Sequence, residues 1–583
     1  MVTPALQQRE TQWWAFSLGT LAQFKSSCPP LLKLHRSYAK GEHRVALNSA
    51  FFAPNLGALS NRTTRRRSPI MLSAVQDDDV DQPHETLIPH AHNAISKTGT
   101  ASAGHMSVSL KEDGFKDGKF SVEDAVESMG FGKFQALVLV YAGMAWVADA
   151  MEMMLLSFVG PAVQKSWNLT PSEEGMITSV VFIGMMFGAY FWGALSDLKG
   201  RRSGFLFTAV VTFAAGLLSA FSPNYYVLLF LRGIVGVGLA GGAVITSWFL
   251  EFIPTSNRGL WMVLISVFWT IGTVAEATLA WTIMPSLGWR WLLGLSSAPL
   301  LVLLVFYPLV PESPRYLMAK NKADEALDVL RWMARVNKKA LPVGQLDQES
   351  AVAVHDHGKG DLFNEAVRLV KALFSPSMIR STLLLWLVFF ANAFTYYGLV
   401  LLTTQLSDPA SSCGSAVNAA QTVGSSDLYK GALVTSFAEL PGLLVSAAIV
   451  DRFGRKKSMS ALFLVCGAVL APLIQPLAST TTTFLLFMGR ACITGTFTIV
   501  YIYAPEVYPT ELRATGLGVA NSFARIGGVL CPLVAVELVK NCELALAVAL
   551  FVAVPLLGAV AVAFLPIETS GRLLTDTVEE TKL

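Results

Sequence analysis

Twelve apolar segments, each roughly 20 residues long, recur along the chain between residues 134 and 566. A helix of about 20 residues crosses the ~30 Å hydrocarbon core of a bilayer at ~1.5 Å per residue. The segments are 134–158, 174–195, 204–222, 225–249, 259–284, 289–309, 381–405, 430–450, 459–477, 483–504, 514–538 and 544–566. Unpaired backbone N–H and C=O groups are unfavourable in lipid, and a helix pairs these groups within a single segment. The sequence therefore predicts an all-α membrane protein with twelve transmembrane helices.

The composition agrees with a membrane protein. Of 583 residues, 53% are hydrophobic and only 15% are charged, against about 25% charged residues in soluble domains. The net charge of +3 gives no reason to expect a nucleic-acid partner. The six cysteines lack metal-ligand spacing, so we expect neither a metal nor a cofactor. A disulfide between Cys413 and Cys542 stays open, because a sequence does not supply the distance.

The polar stretches divide the chain into five parts. They are a mostly disordered N-terminal extension (1–120), a first six-helix half (121–310), a cytosolic linker with short helices (311–380), a second half (381–570) and a cytosolic tail (571–583). Up to Ser73 the extension is rich in Arg, Lys and Ser but has only two acids, as in an organellar transit peptide. A disordered cytosolic tail, or a mispredicted start with Met106 as the true beginning, are the alternatives.

An internal repeat with a period near 255 residues relates the two halves. Asp197-Leu198-Lys199-Gly200-Arg201-Arg202 returns as Asp451-Arg452-Phe453-Gly454-Arg455-Lys456, and Arg232 returns as Arg490. The spacing from Glu251 to Arg258 returns from Glu506 to Arg513, and Pro311-Glu312-Ser313 returns loosely as Pro566-Ile567-Glu568. The repeat predicts two halves in the same orientation. Parallel halves of this kind hold a substrate near the midplane and rock to expose it to either side.

Basic residues are concentrated in alternate loops. The rich loops carry Lys199, Arg201, Arg202, Arg258, Arg452, Arg455, Lys456, Lys457 and Arg513, whereas the opposite loops carry Lys165, Arg290, Lys430 and Lys540. The positive-inside rule assigns the rich side to the cytosol, which predicts cytosolic termini. We expect the protein to lie in a vacuolar or a plasma membrane. We also expect a monomer surrounded by lipid.

The first apolar segment carries two acids, Asp149 and Glu152, three residues apart and thus on one helix face. A carboxylate at the bilayer centre costs about 2.5–3.5 kcal/mol on insertion scales. The pair should therefore face a wet cavity as a cation or proton site, or form a structural ion pair in the bundle. Glu276 in the fifth segment and Glu439 in the eighth are predicted to act similarly.

Basic and aromatic residues at the same depth complete the predicted binding site. The basic groups at depth are Arg232, Arg490 and Arg525. A quaternary ammonium donates no N–H bond, so proteins hold it with aromatic faces, each worth about 0.5–2 kcal/mol, and a nearby carboxylate. Trp146, Tyr396 and Tyr397 are the predicted aromatic contacts, although most such residues simply pack in apolar helices. Arg525 can hold a substrate carboxylate.

The charged loop motifs at the cytosolic helix ends are predicted to lock one conformer, or merely to order the loops. The candidate gating residues are Asp197, Arg201, Arg202, Glu251, Arg258, Asp451, Arg452, Arg455, Glu506 and Arg513. We expect the two aspartates to accept hydrogen bonds from helix N-terminal amides and from arginine, and each glutamate to pair with the arginine seven residues later. No nucleotide-binding motif is present: Gly233-Ile234-Val235-Gly236-Val237-Gly238 is a small-residue seam for close helix packing.

These motifs resemble the major facilitator superfamily over about residues 120–575. The loop motifs at Asp197 and Asp451 and the segment Pro311-Glu312-Ser313-Pro314-Arg315 are similar to its sugar-porter and organic-ion branch. The first loop motif departs from that pattern, because Leu198 stands where arginine is common.

A closer resemblance rests on the segments at 146–154, 222–225, 247–254, 287–292 and 501–506. These segments look like the plant organic cation/carnitine transporters and, more distantly, the bacterial niacin transporters and the synaptic vesicle glycoprotein 2-like proteins. The resemblance implies a secondary transporter of organic cations or carnitine, not an enzyme, working by alternating access with a coupling proton or sodium ion. Nicotinate or another organic anion, a sugar, or a non-transporting membrane receptor are the alternatives.

Overall fold

The computed structural model describes residues 119–254, 258–347, 362–407, 425–475 and 477–569. The predictions of a transit peptide, of a start at Met106, and for residues 571–583 lie outside these ranges. So do Cys413 and the side chain of Arg258.

Twelve helical segments in the described residues are long and apolar enough to cross a membrane. We number them span 1 to span 12: Lys133–Trp167, Pro171–Lys199, Arg201–Ser219, Tyr225–Leu250, Trp261–Ile283, Trp289–Leu309, Ile379–Ser407, Leu428–Phe453, Arg455–Ile474, Ser479–Val507, Leu512–Leu538 and Leu544–Ala563. The predicted all-α fold with twelve spans is confirmed.

Several spans contain more than one helix. Span 4 consists of Tyr225–Leu239 and Gly242–Leu250, span 6 of Trp289–Ser296, Ala298–Phe306 and the 3₁₀ turn Tyr307–Leu309, and span 8 of Ser425–Phe437 and Glu439–Phe453. The helix of span 5 begins at Arg258, span 9 joins Arg455–Leu470 to the 3₁₀ turn Ala471–Ile474, and span 11 joins Thr510–Pro532 to the π-helical Leu533–Leu538.

The interruptions in spans 4 and 8 have local causes. In span 4, the indole N–H of Trp192 donates to the carbonyl of Val237 over 2.6 Å. The backbone amide of Gly241, which would bond to that carbonyl in a regular helix, donates to the carbonyl of Gly238 instead. In span 8, Pro441 has no N–H to donate to the carbonyl of Phe437, four residues earlier. Interrupted helices in transporters characteristically lie beside the binding site.

The spans form two groups of six that meet along shared faces. Within the first group, span 2 packs against span 4 and span 1 against span 5. Within the second, span 7 packs against span 11 and span 9 against spans 10 and 12. Spans 2 and 11, and spans 5 and 8, join the groups. We call the end of the bundle with the loops at 197–202, 251–254, 311–315, 451–457 and 565–569 the basic end.

Short elements cover the basic end of span 1. They are the helices Val122–Met129, Pro314–Ala319 and Ala323–Asn337, and a parallel pair of strands, Lys119–Phe120 with Gln345–Leu346, whereas the helix Leu362–Leu373 packs against span 11. Asn337 accepts a hydrogen bond of 2.9 Å from the amide of Phe134 and so caps span 1. Trp332 packs edge-on against the ring of Phe134. The helix Ala323–Asn337 of the linker is thereby attached to the first half.

The small-residue seam packs as expected from the sequence. Gly236 of span 4 lies against the backbone of Val181 in span 2, and Gly184 of span 2 lies against the backbone of Gly233. A methyl group at Gly236 would collide with backbone atoms, which cannot rotate away. At Gly233 an added methyl would meet only the side chain of Val180, at 3.4 Å.

We therefore expect Gly236→Ala to destabilise the first half, by about 1–3 kcal/mol as for overpacking in general. Gly233→Ala, one turn away in the same helix, is the matched control and should be close to neutral. Thermal unfolding of the purified protein measures both. Equal melting temperatures for the two variants would contradict the close packing of spans 2 and 4.

Candidate substrate and coupling site

Each half has a charged network at the basic end. In the second half, Arg455 donates to Asp451 at 3.1 Å and to Glu506 at 3.2 Å. Glu568 accepts the backbone amides of Arg455 and Lys456 at 2.8 and 3.1 Å. These amides begin span 9, so Glu568 provides the negative charge that a helix N-terminus favours.

The first half repeats this network residue by residue. Arg201 pairs with Asp197 and, at 3.4 Å, with Glu251, while Glu312 accepts the amide of Arg202 at 3.1 Å. Ser313 donates to Glu251 as Thr569 donates to Glu506. Burial raises the pKa of Glu251, and the nearby Arg201 opposes that rise.

The candidate gating residues thus follow the expected pattern only in part, since Asp197 and Asp451 pair with arginine as expected. The glutamates bind the loop arginines, and the helix amides bind Glu312 and Glu568 rather than the aspartates. Arg513 donates to the carbonyl of Pro505. The remaining two differ in setting: Arg452 is exposed, and Arg202 lies 4.7 Å above the ring of Tyr307. The loose repeat of Pro311-Glu312-Ser313 as Pro566-Ile567-Glu568 was the sequence signal that could have identified Glu312.

A buried polar cluster joins the two halves near the centre of the bundle. Glu439, the first residue of the second helix in span 8, receives Nη2 of Arg490 at 2.8 Å and the hydroxyl of Tyr396 at 2.6 Å. From the first half, Trp269 donates to the Tyr396 hydroxyl at 2.8 Å, and the Thr273 hydroxyl lies 3.2 Å from Glu439. Spans 5, 7, 8 and 10 therefore meet at one carboxylate.

Aromatic rings surround this cluster. Trp146 of span 1 contacts Trp269 with ring centroids 5.7 Å apart, and Tyr396 contacts Tyr397 at 5.1 Å. Both tryptophans are partly exposed, whereas the two tyrosines are buried. Phe497 closes the other side of Tyr396 at 5.8 Å. The structure thus brings together Trp146, Tyr396 and Tyr397, and it adds Trp269 to them.

A second buried cluster lies within the first half. Glu152 pairs with Arg232 of span 4 at 3.0 Å, and both side chains are almost fully buried. Glu276 of span 5 lies close enough to interact with the charge of Glu152. The Ser296 hydroxyl lies within 2.9 Å of both oxygens of Glu276 and of the Leu292 carbonyl. A second carboxylate thus lies near the Glu152–Arg232 pair.

Asp149 lies beside the interruption in span 4. It lines a small cavity together with Thr208 and Thr212. Gly242, the first residue of the second helix in span 4, lies against the Asp149 carboxylate. Arg525 of span 11 interacts with the charge of Asp149 and with the Tyr397 hydroxyl.

The two acids of span 1 therefore have different surroundings. Glu152 is held by an arginine in the first half, while Asp149 borders the cavity and is influenced by a charge from the second half. Within the described residues, Oε1 of Glu152, Nη2 of Arg232 and Nη1 of Arg490 have no hydrogen-bond partner. No group of three or more His, Cys, Asp and Glu in this part of the chain could hold a metal ion.

Residues 140–580 match the family described as Sugar (and other) transporter. The chain is 53% identical over 489 residues to organic cation/carnitine transporter 7 of Arabidopsis thaliana, covering 80% of this chain and 97% of that protein. It is 42% identical over 470 residues to the synaptic vesicle 2-related protein of Rattus norvegicus, covering 79% and 83%.

Among solved structures, the chain resembles the xylose transporter XylE from E. coli in a partially occluded inward-open conformation. The TM-score is 0.59 at 16% identity, over 76% of this chain and 100% of that one. The crystal structure of a D-xylose-proton symporter gives 0.57 at the same identity, over 76% and 99%. At this identity the likeness establishes the fold. The chain thus belongs to the sugar (and other) transporter family of the major facilitator superfamily, a family of membrane transporters and not of enzymes.

Proposed function

We propose that the protein is a secondary carrier of small organic cations, with carnitine as a candidate substrate, that works by alternating access with proton coupling. The observation that carries the proposal is the aromatic surface formed by Trp146, Trp269 and Tyr396 beside the Glu439 carboxylate. Aromatic faces next to a carboxylate are the environment that holds a quaternary ammonium. The name of the Arabidopsis relative supports the same class of substrate.

The site also offers a place for a substrate carboxylate. Arg490 is 1% exposed, and its Nη1 has no partner among the described residues, while Nη2 and Nε bind Glu439. Arg525, next to Tyr397, is the second candidate. A zwitterion with an ammonium at one end and a carboxylate at the other, such as carnitine, would use both features.

The same arginines support a runner-up, which is nicotinate or another organic anion. In that case Arg490 or Arg525 would dominate binding, and Asp149 would serve the coupling ion. A non-transporting receptor is the other alternative. The charge on the best competitor distinguishes the cation carrier from the anion carrier. Uptake by the purified protein distinguishes a carrier from a receptor.

Glu276 is the best candidate for the coupling proton. It is fully buried, and Glu152 next to it already holds Arg232. The Ser296 hydroxyl has one hydrogen and three acceptors within 2.9 Å, so it can donate to the Leu292 carbonyl and accept from a protonated Glu276. Release of that proton would place a second negative charge beside the Glu152–Arg232 pair, which provides a link between protonation and helix packing.

Two independent features support an orientation with the basic end in the cytosol. The first is the concentration of Lys and Arg in its loops. The second is Cys542, at the other end, which is disulfide-bonded to a partner outside the described residues. Disulfides persist in oxidising compartments, whereas cytosolic thiols stay reduced. We propose cytosolic termini and a plasma or vacuolar membrane.

The substrate proposal predicts that labelled carnitine enters proteoliposomes containing the purified protein. Tetraethylammonium should compete, whereas nicotinate and glucose should not. Trp269→Leu should raise the half-saturating concentration about 2- to 30-fold, because one cation–π contact is worth about 0.5–2 kcal/mol. Trp386→Leu, outside the cluster, is the control. Competition by nicotinate alone would favour the anion carrier. Absence of any uptake would favour the receptor.

The coupling proposal predicts that Glu276→Gln abolishes accumulation driven by a pH gradient, because a fixed neutral amide cannot exchange the proton. Exchange of labelled for unlabelled substrate should continue, since it needs no net proton movement. Glu173→Gln, which changes an acid outside this cluster, should behave as wild type. Continued accumulation by Glu276→Gln in a pH gradient would exclude this residue as the proton carrier.

The gating proposal predicts that Asp451→Asn slows transport while the amount of protein in the membrane is unchanged. Glu506→Gln should slow transport more, because Glu506 is more buried and binds both Arg455 and Thr569. Initial uptake rates normalised to surface protein measure this. If both variants transport at the wild-type rate, the network only orders the loops.

A further inference from the structure

A buried carboxylate holds together four elements at the end opposite the basic end. Glu174, in the first turn of span 2, is 2% exposed. Its Oε1 accepts a hydrogen bond of 2.8 Å from the amide of Gln405 near the end of span 7. Its Oε2 pairs with the ammonium of Lys540, which follows span 11. Lys540 also donates to Gln164 near the end of span 1.

This cluster connects the two halves of the bundle. Gln164 and Glu174 belong to the first half, and Gln405 and Lys540 belong to the second. Beneath it, the Ser179 hydroxyl donates to the Val529 carbonyl at 2.8 Å, so spans 2 and 11 remain in contact. By contrast, the ion pairs of the two networks at the basic end each stay within one half.

The chemistry of the cluster suits a contact that forms and breaks repeatedly. A lysine and a carboxylate buried together bind firmly, but leaving either one buried alone is strongly unfavourable. All four residues lie at or just beyond helix ends. Separation of the halves at this end would therefore expose Glu174 and Lys540 to water and not strand them in lipid. The pair is stable when closed and tolerable when open.

We propose that Gln164, Glu174, Gln405 and Lys540 form a latch that keeps this end closed, with Glu174 as its hub. Opening toward this side requires the Glu174–Lys540 pair to separate. The latch rests on the proposed alternating access, but it does not depend on which substrate is carried.

Distances between the halves test the latch directly. Ser172 of span 2 and Thr480 of span 10 are exposed at this end. Spin labels attached there through a ketone-bearing non-natural amino acid leave the native cysteines unchanged. Electron–electron double resonance on the full chain in lipid nanodiscs, without substrate, then reports the open and closed populations. We expect Glu174→Gln to raise the ratio of long to short distances about tenfold, equivalent to about 1.4 kcal/mol.

The controls distinguish the latch from general damage to span 2. Glu173→Gln changes the adjacent acid, which caps the same helix with Thr170, and should keep the wild-type distances. Lys540→Met should open this end as Glu174→Gln does, and exchanging the two charges should close it again.

Wild-type distances in both Glu174→Gln and Lys540→Met would overturn the latch, whatever the uptake experiments show. Conversely, a failure of carnitine uptake would leave a measured latch standing. If the Glu174→Gln variant does not fold, the Lys540→Met variant alone tests the latch. This variant should still fold, because the Glu174 carboxylate left without its lysine can take up a proton.

Discussion

A charge buried at the depth of the lipid must be neutralised by a group on another helix, and the centre of this protein depends on that constraint. Glu439 is neutralised by Arg490, and Glu152 by Arg232. Each pair fixes the rotation of two spans about their axes, because neither side chain can turn toward lipid. Around the Glu439 pair this rotation also brings Trp269 and Tyr396 together, so the same interaction that stabilises the bundle builds the candidate binding surface.

The distribution of contacts between the halves fits alternating access. At the basic end, Arg201 and Arg455 bind acids of their own half, so each network can move with its half as a unit. The hydrogen bonds between the halves lie at the centre, at the opposite end, where Glu174 meets Lys540, and between Tyr190 of span 2 and Ser522 of span 11. Rocking of one half against the other would therefore preserve the basic-end networks internally while it separates or remakes the contacts between the halves.

The sequence contains much of this architecture because its signals are local or repeated. Hydropathy predicts the twelve spans, and the repeat relates Asp197 and Arg201 to Asp451 and Arg455. The contact of Thr273 with Glu439 was not predictable, because it depends on how spans 5 and 8 are rotated toward each other. Glu174 was missed for another reason: its partners Gln405 and Lys540 lie in the other half, far away in the sequence. Contacts between the halves have no counterpart in the repeat.

The central claim is that a cation binds between the halves, on the aromatic surface next to Glu439. An electron cryo-microscopy structure of the protein with a bound quaternary ammonium tests it most directly. We expect the ammonium to lie within about 6 Å of the ring centres of Trp146, Trp269 or Tyr396, with a rearranged hydrogen bond between Trp269 and Tyr396. A ligand bound outside this surface, with the Trp269–Tyr396–Glu439 contacts unchanged, would contradict the account.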